Sequence, residues 1–167
     1  MGSGKSYWAR KLEQYYAVPA VDLDEWIERQ AGMAVADIFA TQGEEKFRAL
    51  EAEMLRSPQL PDGFIMACGG GTPCFHDNMT YMLQAGIVVW IDTPIPIIAQ
   101  RLQHERSKRP LLQGLETAVQ LETYLHQLRS IRLAWYKKAA IVLNTAHLTE
   151  HVLQQALDGY LKKHHLC

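Results

Sequence analysis

The first residues that could do chemistry are Gly4, Lys5 and Ser6, within the opening run MGSGKS. They match the second half of the G-x-x-x-x-G-K-[ST] loop, whose glycines turn backbone amides toward phosphate oxygens. In that loop the lysine reaches the outer phosphates and the hydroxyl binds Mg²⁺. A helical pattern follows over residues 7–16, as the loop requires. The motif indicates a nucleoside triphosphate site, although a Gly/Ser-rich start before an unrelated helix could give the same letters.

The start of this loop does not fall within the sequence. Its first glycine, and the strand that normally leads into it, would both lie before Met1. We therefore expect that Met1 is not the natural start of the working enzyme and that the first strand of the fold is missing from this chain. The strands predicted at 64–68 and 87–91 would then face a gap, and unpaired buried backbone groups cost about 1–3 kcal/mol each.

Two further groups of polar residues follow predicted strands. Asp22 and Asp24 come at the end of a short apolar strand at 18–22, and two carboxylates near a phosphate loop suit metal binding and proton abstraction. The alternative is that an aspartate caps the next helix. Gly69-Gly70-Gly71 follows the strand at 64–68, and three glycines let a ligand approach the backbone amides. A tight turn is the alternative there.

The elements that must position these residues alternate between strand and helix, which predicts an α/β fold with a parallel central sheet between two layers of helices. In such a sheet, ligands bind beyond the carboxyl ends of the strands. The stretch 106–115 is polar, charged and broken by Pro110 and Gly114, and we expect it to be a mobile loop between two helices. Strands are predicted at 18–22, 64–68, 87–91 and 140–143, and helices at 25–31, 35–40, 44–56, 78–85, 95–104, 118–138 and 150–163.

Composition limits the class of protein. The chain has 167 residues, enough for one domain, and a formal net charge of −1, so it shows no basic footprint for nucleic acid. No apolar run reaches transmembrane length. The three cysteines lack C-x-x-C spacing, which argues against a disulfide framework or a zinc site and fits the reducing cytoplasm.

Taken together and in order, these motifs resemble the shikimate kinase family over essentially the whole chain. The family resemblance implies a phosphate-loop kinase fold, MgATP-dependent phosphorylation of the shikimate 3-hydroxyl, and a cytoplasmic enzyme, expected to be a monomer, with no nucleic-acid or membrane partner. The stretches that carry it are 36–48 (ADIFATQGEEKFR), Asp22-x-Asp24, Gly69-Gly70-Gly71, Arg109-Pro110-Leu111-Leu112, and Arg132 with Tyr136 four residues later.

The resemblance also implies roles for individual residues. Gly2, Ser3, Gly4, Lys5 and Ser6 would hold the ATP phosphates, with Ser6 and Asp22 serving Mg²⁺. Asp24 would bind the shikimate hydroxyls and act as general base, so that Asp24, Lys5 and Arg109 form the catalytic set. The substrate-binding helices would lie at about 25–56 and a lid at about 106–115. The remaining shikimate contacts would be Phe39, Phe47, Arg48, Glu51, Gly69, Gly70, Gly71 and Arg132.

Chemistry supports the arginines independently of the family. A small carboxylic acid favours planar, bidentate guanidinium partners, as Arg48 and Arg132 would supply, although both could be solvated helix residues. The adenine-stacking arginine would be Arg101, with Arg106 as an alternative, because the segment 101–109 is about one residue longer than usual. Two other functions stay open: a gluconate-type small-molecule kinase, and a nucleotide-binding inactive paralogue with a regulatory role.

Overall fold

The computed structural model describes residues 2–103, 112, 114–115, 117–144 and 148–165. Its strands are β1 (Ala20–Asp22), β2 (Ile65–Ala67), β3 (Val89–Asp92) and β4 (Ile141–Asn144). Its helices are α1 (Lys5–Tyr16), α2 (Leu23–Ala31), α3 (Val35–Leu55), α4 (Asn78–Ala85), α5 (Ile95–Leu102), α6 (Ala118–Tyr136) and α7 (Glu150–Lys163), with a short 3₁₀ turn at Thr72–Cys74.

The strands pair in parallel, as the alternation of elements predicts. β1 pairs with β2, with Ala20 opposite Ile65, and β3 pairs with β4, with Val89 opposite Ile141. Over the described ranges these ladders form two pairs, and β2 and β3 are not hydrogen-bonded to each other. The predicted α/β class and the parallel pairing are confirmed.

Three buried apolar clusters hold the helices against these strands. Leu12 of α1 packs with Leu143, Leu153 and Leu157, and residues of β2, β3 and β4 cover the same cluster. A second cluster joins α5 to α6, and a third joins α2 to α3 around Leu23, Ile27, Ile38 and Phe47. Together the clusters fix the helices that carry predicted site residues, which are α1, α2, α3, α5 and α6. No helix in the described part of the chain is both long enough and apolar enough to cross a bilayer.

The α3 helix contains a kink that matters for the site. Two separate helices are predicted at 35–40 and 44–56, and the structure confirms them: the range Val35–Leu55 consists of two helices that meet at a kink, with the non-helical residue Gly43 between them. Gly43 has φ 81° and ψ 171°, a conformation open essentially to glycine alone. The chain thus changes direction between the two helices, and the second of them carries Phe47, Arg48 and Glu51 on its buried face.

Candidate active site

The phosphate-loop residues form the entry to α1. Gly2 and Gly4 both have positive φ, at 65° and 84°, and Gly4 directly precedes the helix. Over the described residues no side chain caps this end of α1, and its first turn contains no acidic residue. The first amides of a helix lack intrahelical partners and favour anions. This helix end is therefore suited to accept a phosphate group.

Lys5, Ser6, Asp22 and Asp24 lie together beside that helix end, as predicted. The Ser6 hydroxyl donates to Asp22 Oδ2 at 2.5 Å. The Lys5 ammonium lies 3.7 Å from the Asp22 carboxylate and 3.9 Å from that of Asp24. The other oxygen of Asp22 accepts the Asp24 backbone amide at 3.1 Å and so caps α2. Asp22 thus serves both alternatives from the sequence, because one oxygen caps the helix while the other faces Ser6 and Lys5.

The glycine triplet lies between this group and Arg48. A Cβ atom placed on Gly69 would be 3.1 Å from a Glu51 oxygen and 3.7 Å from Asp24 Oδ1. A Cβ atom on Gly71 would be only 2.7 Å from Arg48 Nη2. Gly70 is tied to α6, because its carbonyl accepts the Tyr136 hydroxyl at 2.7 Å. Three elements therefore meet at the triplet.

Arg48 is a buried cation, with 4% of its surface exposed. Its Nη1 donates to Glu51 Oε2 at 2.8 Å, and its Nε and Nη2 both donate to Glu44 Oε1. The guanidinium carbon lies 4.6 Å from the ring centre of Phe75 and 5.1 Å from that of Phe47. Phe39 packs on Phe47 at 4.7 Å and faces the same guanidinium at 6.0 Å. Carboxylates and aromatic faces together stabilise the charge.

Glu51 anchors this arrangement because it is fully buried. It accepts the Thr72 hydroxyl in addition to Arg48 Nη1. Burial raises the pKa of Glu51, and Arg48 and Thr72 partly offset that rise. The Thr72 carbonyl in turn accepts the Asn78 amide at 2.9 Å, and Asn78 accepts Arg56 at 2.6 Å. A chain of polar contacts thus runs from Arg48 to the end of α3.

Arg132 approaches the same region from α6. Burial raises the pKa of the Cys74 thiol, and the nearby positive charges of Arg132 and Arg48 partly offset that rise. Arg132 also lies near the Tyr136 hydroxyl. The structure therefore brings the two predicted carboxylate-binding arginines near one residue, Cys74, in the 3₁₀ turn that follows the glycine triplet.

The remaining predicted residues have different outcomes. Arg101 lies at the phosphate loop, where its Nη1 donates to the Gly2 carbonyl at 2.9 Å. Adenine stacking by Arg101 stays a prediction. Arg106, Arg109 and most of the predicted lid lie outside the described residues, although Leu112 is buried in the α5–α6 cluster.

Sequence reasoning missed several residues that complete the site. Glu44 stands four residues before Arg48, so helical spacing could have paired them. No local signal points to the others, because their contacts depend on how the 3₁₀ turn packs against α3, α4 and α6. They are Thr72, Phe75 and Asn78. Tyr136 is named with Arg132 in the sequence, but its bond to Gly70 is seen only in the structure.

Comparison with known proteins agrees with this geometry. A family model described as shikimate kinase matches residues 1–160. A shikimate kinase from Parabacteroides distasonis is 34% identical over 97% of this chain and 94% of its own length. The solved shikimate kinase from Bacteroides thetaiotaomicron has a TM-score of 0.84 at 29% identity, covering 95% of this chain and 94% of that one. The solved shikimate kinase from Acinetobacter baumannii in complex with shikimate has a TM-score of 0.87 at 32% identity, covering 98% and 89%. The chain therefore belongs to the shikimate kinase family.

Proposed function

We propose that this protein transfers the γ-phosphoryl group of ATP to the 3-hydroxyl of shikimate, giving shikimate 3-phosphate and ADP for chorismate and aromatic amino-acid biosynthesis. The single observation that carries the proposal is the buried Arg48–Glu51 pair directly against Gly71, with Arg132 close enough to act, like Arg48, on the Cys74 thiol. A relative of 32% identity and closely similar structure was solved in complex with shikimate, which supports the same substrate here.

The ATP phosphates would be held by the amides of residues 2–6 and by the Lys5 ammonium. Ser6 and Asp22 place a hydroxyl and a carboxylate oxygen side by side, and oxygen donors of this kind fit Mg²⁺. Mg²⁺ keeps several waters and binds through few protein groups plus phosphates, so a small donor set suffices. When bound, it would neutralise charge on the phosphates. Arg101, and Arg109 from a closing lid, are proposed to add positive charge at the nucleotide.

The shikimate hydroxyls would lie between Asp24 and the glycine triplet. Asp24 is less buried than Asp22, with 42% of its side chain exposed, so a substrate can reach it. In that position its carboxylate would accept the proton from the 3-hydroxyl, and the Lys5 ammonium lies 3.9 Å from it. Removing the proton makes the hydroxyl oxygen a better nucleophile toward the γ-phosphate.

The shikimate carboxylate would bind Arg48 and Arg132. Glu51 fixes Arg48 from the buried side, and Phe39, Phe47 and Phe75 would line the pocket wall. Two arginines holding one carboxylate at the far end of the ring would fix the position of the 3-hydroxyl. Positioning of this kind supplies much of the rate gain in phosphoryl transfer.

We place the reaction in the cytoplasm, where thiols such as Cys68 and Cys74 stay reduced. We also propose that the monomer is active, because one copy of the chain supplies both the phosphate-loop group around Lys5 and the carboxylate-binding group around Arg48. The active species can be identified by measuring turnover across a size-exclusion peak.

The function is tested by ADP release in the presence of Mg²⁺ and ATP with shikimate, quinate or gluconate as acceptor, followed by ³¹P NMR of the product. Shikimate should be the preferred acceptor, and phosphate should appear on its 3-hydroxyl. Asp24→Asn should retain ATP binding but lose about 10²–10⁴-fold in kcat, because the amide cannot accept the proton. Preference for gluconate would indicate the other kinase class, and ATP binding without turnover of any acceptor would indicate an inactive paralogue.

A further inference from the structure

Glu44 occupies hydrogen-bond donors of Arg48, the arginine that is proposed to bind the substrate carboxylate. It is the first residue after the Gly43 kink and stands four residues before Arg48 on the same helix. One of its oxygens, Oε1, accepts Arg48 Nη2 at 2.9 Å and Arg48 Nε at 3.1 Å. These two nitrogens form one of the edges through which a guanidinium binds a carboxylate. Glu44 therefore fills an edge that an incoming carboxylate would use.

Arg48 does not need Glu44 to neutralise its charge. Glu51 is fully buried and already binds Nη1 at 2.8 Å. Glu44, Glu51 and Arg48 together carry one net negative charge, which weakens the positive charge that Arg132 brings to the proposed anion site. That excess charge opposes substrate binding.

The two glutamates also differ in their freedom to move. The Glu51 side chain has no exposed surface, whereas 49% of the Glu44 side chain is exposed. Glu44 can rotate into solvent and be hydrated there, whereas Glu51 would have to leave the protein interior. Of the two carboxylates, only that of Glu44 can leave the Arg48 guanidinium at a small cost in free energy.

We infer that Glu44 is an internal counter-ion that the carboxylate of the substrate displaces from Arg48, so that Glu44 sets the affinity and selectivity for anionic substrates. The inference rests on the proposed function, since it takes the shikimate carboxylate as the competitor. A ligand that carries a carboxylate replaces the bonds that Glu44 gives up. A ligand without that charge cannot do so, and Glu44 stays on Arg48.

A different role for Glu44 would give the opposite result. If Glu44 served to hold Arg48 in its binding geometry, its removal would weaken shikimate binding. If it competes with the substrate, its removal strengthens binding. The sign of the change in dissociation constant therefore separates the two roles.

The test is calorimetric titration of shikimate, at low ionic strength, into wild type, Glu44→Gln and Glu45→Gln. Glutamine keeps the length of the side chain but removes its charge. Glu45 is the exposed neighbour, so its variant makes the same change in net charge away from Arg48. We expect Glu44→Gln to bind shikimate about two- to fivefold more tightly, the size of a partly exposed ion pair, with Glu45→Gln unchanged. Glu44→Ala should also bind shikimate more tightly than wild type does. Neither Glu44 variant should gain affinity for the methyl ester of shikimate.

The outcomes separate this inference from the proposed function. If wild type binds and phosphorylates shikimate while Glu44→Gln binds it equally well or more weakly, the counter-ion role is wrong and the function stands. If Glu44→Gln gains as much affinity for the methyl ester as for shikimate itself, the counter-ion role is also wrong. If wild type neither binds nor phosphorylates shikimate, the proposed function fails and the inference fails with it.

Discussion

Gly71→Ala is the substitution whose effect can be worked most directly from the geometry. The backbone at Gly71 has φ −88° and ψ −24°, which any residue can adopt, so alanine causes no strain of the main chain. The obstacle is Arg48: the new methyl group would lie 2.7 Å from Nη2 and 2.8 Å from both Cζ and Nη1. Unbonded carbon atoms normally stay about 3.5–4.0 Å apart. The guanidinium would have to move by about 1 Å.

Arg48 cannot move that far without losing a partner. It is bound by Glu51 on one side and lies against the rings of Phe47 and Phe75. Loss of one hydrogen bond to a charged group costs about 1.5–3 kcal/mol. If that loss falls on shikimate binding, kcat/KM for shikimate should fall roughly ten- to a hundred-fold. The KM for ATP should stay within about twofold, because the phosphate loop is not touched.

The assay is coupled ADP release with each substrate varied in turn. Gly159→Ala is the matched control, because it adds the same methyl group in α7 with no atom within 4 Å apart from its chain neighbours and the backbone of its own helix. The control should leave both kinetic constants unchanged. A Gly71→Ala enzyme with wild-type kcat/KM for shikimate would refute the role given to the contact between Gly71 and Arg48.

Three other predictions follow from buried or hydrogen-bonded groups. Asn78→Ala should lower the free energy of unfolding by about 1–3 kcal/mol, because the Thr72 carbonyl and Arg56 lose their partner; an unchanged urea midpoint would contradict this. Burial and nearby carboxylates raise the pKa of the Cys68 thiol to about 12, so Cys68 should resist alkylation at pH 8 until the protein is unfolded. Peptide mass spectrometry after iodoacetamide treatment measures this resistance. Rapid labelling of Cys68 in the native protein would contradict the prediction. Hydrogen bonds from Tyr16 and Tyr15 hold the pKa of Asp158 below its usual 3.8, so its contribution to stability is present above that pH and is lost as pH falls through the lower folded-state value. The difference in unfolding free energy between wild type and Asp158→Asn should accordingly shrink below pH 3.8, and a difference that grows there would overturn the assignment.

Local signals were enough for some elements and not for others. The bounds predicted for helices 78–85 and 150–163 are those observed, because clear boundary residues, such as Gly86 after the first and Thr149 before the second, mark them. The strands begin one or two residues later than predicted. An apolar run shows where a strand is possible, but its pairing partner decides where the ladder starts. The two helices predicted at 35–40 and 44–56 are also observed, because Gly43 adopts a non-helical conformation that interrupts the continuous range of α3.

The site residues likewise fall into those that the sequence predicts and those that it does not. Lys5, Ser6, Asp22 and Asp24 could be grouped from the sequence, because a known loop and the end of one strand place them together. Arg48 and Arg132 were named through a family resemblance, since 84 positions separate them and only the packing of α6 near the glycine triplet brings them together. Thr72 and Asn78 could not be found at all, because Thr72 acts through its hydrogen bond to Glu51 and Asn78 through its bond to the Thr72 carbonyl, and neither contact follows from their spacing.

The central claim is that Arg48 and Arg132 hold the shikimate carboxylate while Asp24 faces the 3-hydroxyl. A crystal structure with shikimate and an unreactive ATP analogue tests it most directly. The account predicts the carboxylate within about 3 Å of both guanidinium groups and the 3-hydroxyl within the same distance of Asp24, pointing toward the γ-phosphate. It also predicts the γ-phosphate beside Lys5. A shikimate molecule bound with its carboxylate away from Arg48 and Arg132, or with its 3-hydroxyl out of reach of Asp24, would contradict the account.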